Sequence, residues 1–212
     1  MSATHTAPCD HPRGEARRAQ ILDAAADCFR NHGFHGASIA QISKSAGMSA
    51  GHIYHYFANK EAIIAAIVER DLERILSLAA ELRSAGNVLQ AMLDCAAEGI
   101  RCNLDPKSAG LQLEIVAEAA RNPDVASVVQ VADRQSRKSL AETFSTMRRI
   151  HGHTDDEQVV AALTELVAAM FEGLAIRSIR NPDLDETMLT TMFRRVISKV
   201  VAEAPTDELR RP

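Results

Sequence analysis

The chain has no tryptophan and only two tyrosines in 212 residues, so aromatics make up 4% of it while hydrophobic residues make up 46%. A core must therefore be built from Ala, Leu, Ile and Val, the palette of packed helices more than of sheets. Proline (seven) and glycine (ten) are also few and sit mostly between long periodic segments. No strand-like alternation of useful length and no internal repeat breaks that pattern. Four cysteines (Cys9, Cys28, Cys95 and Cys102) form no CxxC pair, so they read as small hydrophobic side chains rather than as a zinc or disulfide framework. No apolar run of about 18 residues is read, so no membrane span is expected. The first residues lack the apolar core of a signal peptide, which makes the cytoplasm the expected location. Nucleophile motifs and glycine-rich phosphate loops are missing as well, so neither an enzyme nor a cofactor is expected. His151, His153, Asp155 and Asp156 have metal-ligating chemistry, but HGH in a loop lacks the i, i+4 geometry of a helical metal pair. A solvated loop without a metal is the expectation there.

Charge is unevenly spread. The net value is −4, yet residues 1–60 carry six Lys/Arg against four Asp/Glu, together with six of the eight histidines. A mildly positive, histidine-rich end on an acidic body suggests an anionic partner at one end.

Helical punctuation is clear from Gly14 onward. Leu22, Ala25, Ala26 and Phe29 form one apolar stripe, and Gly33 supplies a left-handed stop. Ser38 and Gln41 match a capping box for a second, short helix, which Gly47 ends. Ser49 caps a third helix running to about Tyr56, with Met48 and Ile53 at staple spacing. Asn59 caps a long fourth helix. Residues 38–56 thus read as helix, tight turn, helix, the layout of a helix-turn-helix whose second member can enter a major groove. Beyond Gly86 five more helical segments are separated by Pro, Gly and Asn stops, making about nine helices in an all-α chain.

The segment GFHGASIAQISKSAGMSAGHIYHYFANKE, residues 33–61, resembles the N-terminal signature of the TetR family of transcriptional regulators, in its AcrR-like form. Gly33-Phe34, Ser38, Ile42, Ala46-Gly47, the run Ile53–Phe57 and Asn59-Lys60-Glu61 carry the likeness. The remainder is similar to the family's divergent C-terminal domains chiefly in being helical. Where many members carry a bulkier polar pair early in the recognition helix, this chain has Ala50-Gly51.

The resemblance implies tails at 1–13 and 205–212, a DNA-binding head at 14–57, and a helical ligand-binding and dimerisation body at 58–204. Ser38, Ile39, Ser49, Ala50, Gly51, His52, Tyr54, His55, Tyr56 and Lys60 are the candidate contacts to double-stranded operator DNA. His52 suits base readout. Tyr54, His55 and Lys60 suit phosphates, and Tyr56 is open between core and DNA. Arg13, Arg17 and Arg18 could form a basic arm or an ordinary charged tail.

In the body, Met92, Cys95, Phe144, Met147 and Phe171 are candidates for an adaptable apolar pocket. Glu114 and Glu118, four apart on one helix, would favour a cationic amphiphile if they face it. Leu163, Leu166, Val167 and Met170, with Leu189, Met192, Phe193, Val196 and Val200, leave two helices apolar on more than one side, which the homodimer interface that the resemblance implies would bury. The expected activity is repression relieved by a small hydrophobic ligand. Two other readings stand beside it: a regulator controlled by a protein partner, and a helical enzyme.

Overall fold

A computed structural model describes residues 11–153 and 156–202. Expectations about residues 1–10, Thr154, Asp155 and 203–212, including Cys9 and the tail at 205–212, lie outside the described residues, whereas residues 11–13 of the expected N-terminal tail belong to a helix. Nine helices and no strand are present among those described. They are α1 (His11–Gly36), α2 (Ile39–Ser45), α3 (Ala50–Tyr56), α4 (Lys60–Ser84), α5 (Val88–Leu104), α6 (Pro106–Ala119), α7 (Pro123–Ile150), α8 (Glu157–Arg180) and α9 (Glu186–Ala202).

The chain divides into two compact units, between Ile67 and Val68 within α4. The first is built on α1, α2, α3 and the opening turns of α4. Gly33, with φ 68° and ψ 165°, interrupts α1. That positive φ is a conformation which L side chains resist, and it lets Phe34 fold back onto Phe29, with ring centroids 5.4 Å apart. Ile21, Leu22, Phe29, Phe34, Ile42, Ile53, Phe57, Ile63 and Ile67 are all buried, giving this small unit an aliphatic core closed by phenylalanine.

The second unit packs α5 against α8 and α9, and α6 and α7 against α8. Val88, Met92, Phe144, Met147, Leu163, Val167 and Ile197 belong to its larger core. Ile100, Leu174 and Phe193 form a second cluster, and Phe171 packs against both. Gly99 lets α5 approach that ring, since a Cβ there would lie 2.9 Å from Phe171 Cε1. Arg83, near the end of α4, donates to the Ser139 carbonyl (3.0 Å) and to the Ser139 and Thr143 hydroxyls on α7.

Two expectations bear on α8, and the second, on the dimer residues, is corrected by its packing. An 18-residue window of this helix has a mean hydropathy of 1.9, so by length and composition it could cross a membrane. Glu165 and Glu172 interrupt any continuous apolar run, which is why the sequence reading missed it. One third of that window (33%) is buried inside the chain's own body. The second expectation concerns the candidate dimer residues. Leu163 and Val167, with Phe193 of α9, are covered by the chain's own core, and Met170, Leu189 and Val200 are half-buried against it. Leu166 (44% exposed), Met192 (46%) and Val196 remain uncovered, joined by Ile176, Ile179 and Met188, which the sequence reading did not select. Leu163 and Leu166 are three residues apart and so only about 60° apart around the helix, which is enough for the edge of the core contact to cover the first and leave the second exposed.

Candidate nucleic-acid interface

Three caps position the helix-turn-helix. Ser38 is the N-cap of α2: its hydroxyl accepts from the Gln41 N–H (3.2 Å), and its own N–H donates to Gln41 Oε1 (2.8 Å). At the other end of α2, Gln20 of α1 donates to the Ala46 carbonyl (2.8 Å), giving a helix-terminal acceptor its partner. Gly47 then turns with φ 63°. Ser49 caps α3, accepting from the His52 N–H (3.2 Å). Asn59 Oδ1 accepts from the Ala62 N–H (2.8 Å) and so caps the start of α4.

These caps fix the faces of α3. Ile53 and Phe57, four apart, are buried. Ala50, Gly51, His52, Tyr54 and His55 are exposed, Tyr54 to 55%. Tyr56 is half-buried, with its ring centroid 5.4 Å from that of His52 and 5.2 Å from that of His55, both edge-on. The three rings brace one another along one side of the helix. Ser38 and Ser49 are exposed and Ile39 is half-buried. Nothing in the protein requires glycine at 51, since a Cβ there would meet only Ser49 Oγ at 4.0 Å. Glycine costs about 1 kcal/mol against alanine inside a helix, so its use here fits close approach by something outside the chain.

Lys60 is tied more tightly than its sequence position suggests. Its ammonium donates to the carbonyls of Phe34 (2.7 Å) and Ala37 (2.9 Å) and lies 4.6 Å from the Phe34 ring centroid. Those bonds hold the start of α4 to the end of α1 and leave one N–H for an outside acceptor. Lys60→Ala should therefore lower the melting temperature of the free protein as well as weaken DNA binding. It should also flatten the salt dependence of binding by about one unit of log–log slope. An unchanged slope with a lowered melting temperature would make Lys60 a clamp only. Arg13, Arg17 and Arg18 lie in α1 rather than in an extended arm, and Arg18 stacks over Phe57 at 5.4 Å.

Four of the seven candidate pocket residues of the body lie together in one core. Met92, Phe144 and Met147 are buried in the larger core with Phe171 against it. Cys95 is half-buried on α5, and Glu114 is half-buried on α6. Glu118 is 1% exposed, but its charge is already met: Asn122 Nδ2 donates to Oε1 (3.2 Å), and the Arg121 guanidinium lies 3.5 Å from Oε2. That pairing weakens the case for a cationic ligand at Glu118. Burial is the main force raising the thiols of Cys28, Cys95 and Cys102 above the usual cysteine range, so they stay protonated and unreactive near neutral pH. Among the described residues no group of three or more His, Cys, Asp or Glu could hold a metal ion.

Comparison with known proteins adds two family matches. Residues 21–67 match the bacterial regulatory proteins of the tetR family, and residues 101–202 match the C-terminal domain of BetI-type transcriptional repressors. The chain is 36% identical over 123 residues to the HTH-type transcriptional regulator UidR of Escherichia coli K12, covering 57% of this chain and 62% of that one. It is 33% identical over 133 residues to the HTH-type transcriptional regulator BetI of Cronobacter sakazakii, covering 60% and 65%. The chain thus spans less than two thirds of the length of either curated relative. The solved structure of Salmonella enterica GusR superposes with a TM-score of 0.72 at 28% identity, covering 88% of this chain and 95% of that one. These families and relatives are transcriptional regulators, not enzymes.

Proposed function

Because the chain belongs to the TetR family of bacterial regulatory proteins, we propose that it is a cytoplasmic DNA-binding repressor that sits on a palindromic operator as a homodimer. The observation that carries this reading is the outward face of α3. Its buried side is complete with Ile53 and Phe57, while Ala50, Gly51, His52, Tyr54 and His55 are presented together to solvent. A helix of this kind fits the major groove. Ala50 can meet a thymine methyl, Gly51 permits close backbone approach, and His52 can donate to guanine or accept from a base amine. Tyr54, His55, Ser38 and the remaining N–H of Lys60 are placed to meet phosphate oxygens, which fix register without reading sequence. The ring contacts hold His52 through Tyr56, so Tyr56 acts as a positioning residue for the readout side chain.

Pairing of two copies follows from the uncovered apolar side of the body. Ala162, Leu166, Ala169 and Ile176 line one exposed stripe of α8, and Met188, Met192 and Val196 line one of α9. Two such stripes from each of two chains can close a four-helix interface, with small alanines allowing the helices to approach. A dimer then offers two recognition helices to half-sites about one helical turn apart. A small molecule held in the body would release DNA by binding more tightly to a subunit arrangement whose heads are wrongly spaced.

The direct test of α3 is substitution. His52→Ala should reduce binding to the operator by roughly tenfold or more, the cost of one base contact, while leaving binding to unrelated DNA nearly unchanged. Equal losses on both DNAs in a gel-shift titration would remove His52 from base readout.

A further inference from the structure

The helix α9 has three faces, and the proposed regulator uses only two. Leu189, Phe193 and Ile197 face the body core, and Met188, Met192 and Val196 form the uncovered apolar stripe. The third face is hydroxylated and basic. Glu186, Thr187, Thr190, Thr191, Arg194 and Arg195 of α9 border a groove of about 530 Å³ whose other wall is Ala97 and Arg101 of α5. A second opening of about 550 Å³, lined by Arg194, Arg195, Ser198 and Lys199 with Leu93, continues it along α9. Both openings lie within one compact unit.

The groove is lined by three guanidinium groups, Arg101, Arg194 and Arg195, against one carboxylate, Glu186. Its two ends carry guanidinium groups: Arg194 lies 3.1 Å from Asp94, and Arg101 pairs with Glu98 and faces Glu186 across the groove. Asp94 and Arg101 are seven residues apart on α5, so the two ends are separated by about 10 Å along the helix. Both ion pairs are solvent-exposed, and exposed pairs of this kind contribute little. Each guanidinium has five N–H donors, so it can keep its acid and still offer N–H groups to an incoming anion. Arg195 borders both openings and has no ion-pair partner among the described residues. Between the ends, Ala97 is too small to fill the space. Thr187 and Thr190 line it, and their hydroxyls have no intramolecular partner among the described residues, while that of Thr191 already donates to the Thr187 carbonyl (2.9 Å). A forked cation at each end with hydroxyl donors between them matches a small molecule that bears an oxyanion and several hydroxyls.

We infer that the α5–α9 groove is a binding site for a small hydroxylated oxyanion, such as a phosphate monoester, anchored by Arg194 and Arg195 and oriented by Thr187 and Thr190. The site does not depend on the DNA-binding reading, and it is tested on the protein without DNA.

Calorimetric titration with inorganic phosphate, glycerol 3-phosphate and citrate, at ionic strength matched with chloride, tests it. Saturable binding is expected for both phosphates, tighter for glycerol 3-phosphate because its hydroxyls meet the threonines. Citrate binding in place of either phosphate would assign the site to carboxylates. The double variant R194Q/R195Q should weaken binding roughly tenfold or more, the loss expected of charge-assisted hydrogen bonds. Thr190→Val, which keeps the shape, should remove only the advantage of glycerol 3-phosphate over inorganic phosphate. Equal affinity in the wild type and R194Q/R195Q, with circular dichroism showing both folded, would overturn the proposal. So would an absence of saturable binding by any of the three anions.

Discussion

Leu166→Glu is expected to convert the protein to monomers and to abolish operator binding. Leu166 lies in the exposed apolar stripe of α8 and makes no part of the buried core, so the substitution should leave each chain folded. In the proposed dimer it would bury an uncompensated carboxylate, at roughly 3–5 kcal/mol for a charge left without a partner. A two-fold interface contains every position twice, so dimer dissociation should strengthen by three orders of magnitude or more, reckoned at about tenfold per 1.4 kcal/mol. Loss of the second head then removes the avidity of a two-site binder, commonly about 10²–10⁴ in affinity. Sedimentation equilibrium at micromolar protein should show a single chain of 23.0 kDa in place of the pair. A Leu166→Glu protein that still sediments as a dimer would place the interface elsewhere, and the stripe on α8 would need another occupant.

The second large effect belongs to the head. Ile53 is wholly buried on the inward side of α3, and truncating such a residue to alanine costs roughly 2–5 kcal/mol. A unit of this size has only about 3–10 kcal/mol of stability at the usual value per residue. Ile53→Ala should thus shift its melting by roughly 10 °C or more and eliminate DNA binding at physiological temperature. The core built on Met92, Phe144 and Val167 contains none of the affected contacts, so most of the helical circular dichroism should persist. If DNA binding survives Ile53→Ala undiminished, α3 is not the recognition helix.

The head was legible in the sequence because its structure is locally coded. Ser38 with Gln41, Ser49 and Asn59 each cap within three residues, and Gly33 and Gly47 mark positive φ. The role of Lys60 was only half visible, because its carbonyl partners lie 23 and 26 residues away in the chain. In the body, helix existence was readable but helix orientation was not. An apolar helix such as α8 does not reveal which of its stripes meets its own core, so Leu163 and Leu166 looked alike until packing separated them. Glu118 looked like a ligand-facing carboxylate because Arg121 and Asn122, which engage it, also read as ordinary terminus residues. The α5–α9 groove was invisible for a similar reason: Arg101 and Arg194 become neighbours of one opening only through the antiparallel packing of two distant helices.

The claim that α3 reads operator DNA from a dimer is tested most directly by a nuclease footprint of the purified protein on the DNA flanking its own gene. One protected palindromic stretch is expected, with half-sites about 10 base pairs apart or somewhat more, protected by the wild type but not by Leu166→Glu or Ile53→Ala. Protection without two-fold symmetry, or binding no stronger there than on unrelated DNA at the same salt concentration, would contradict it.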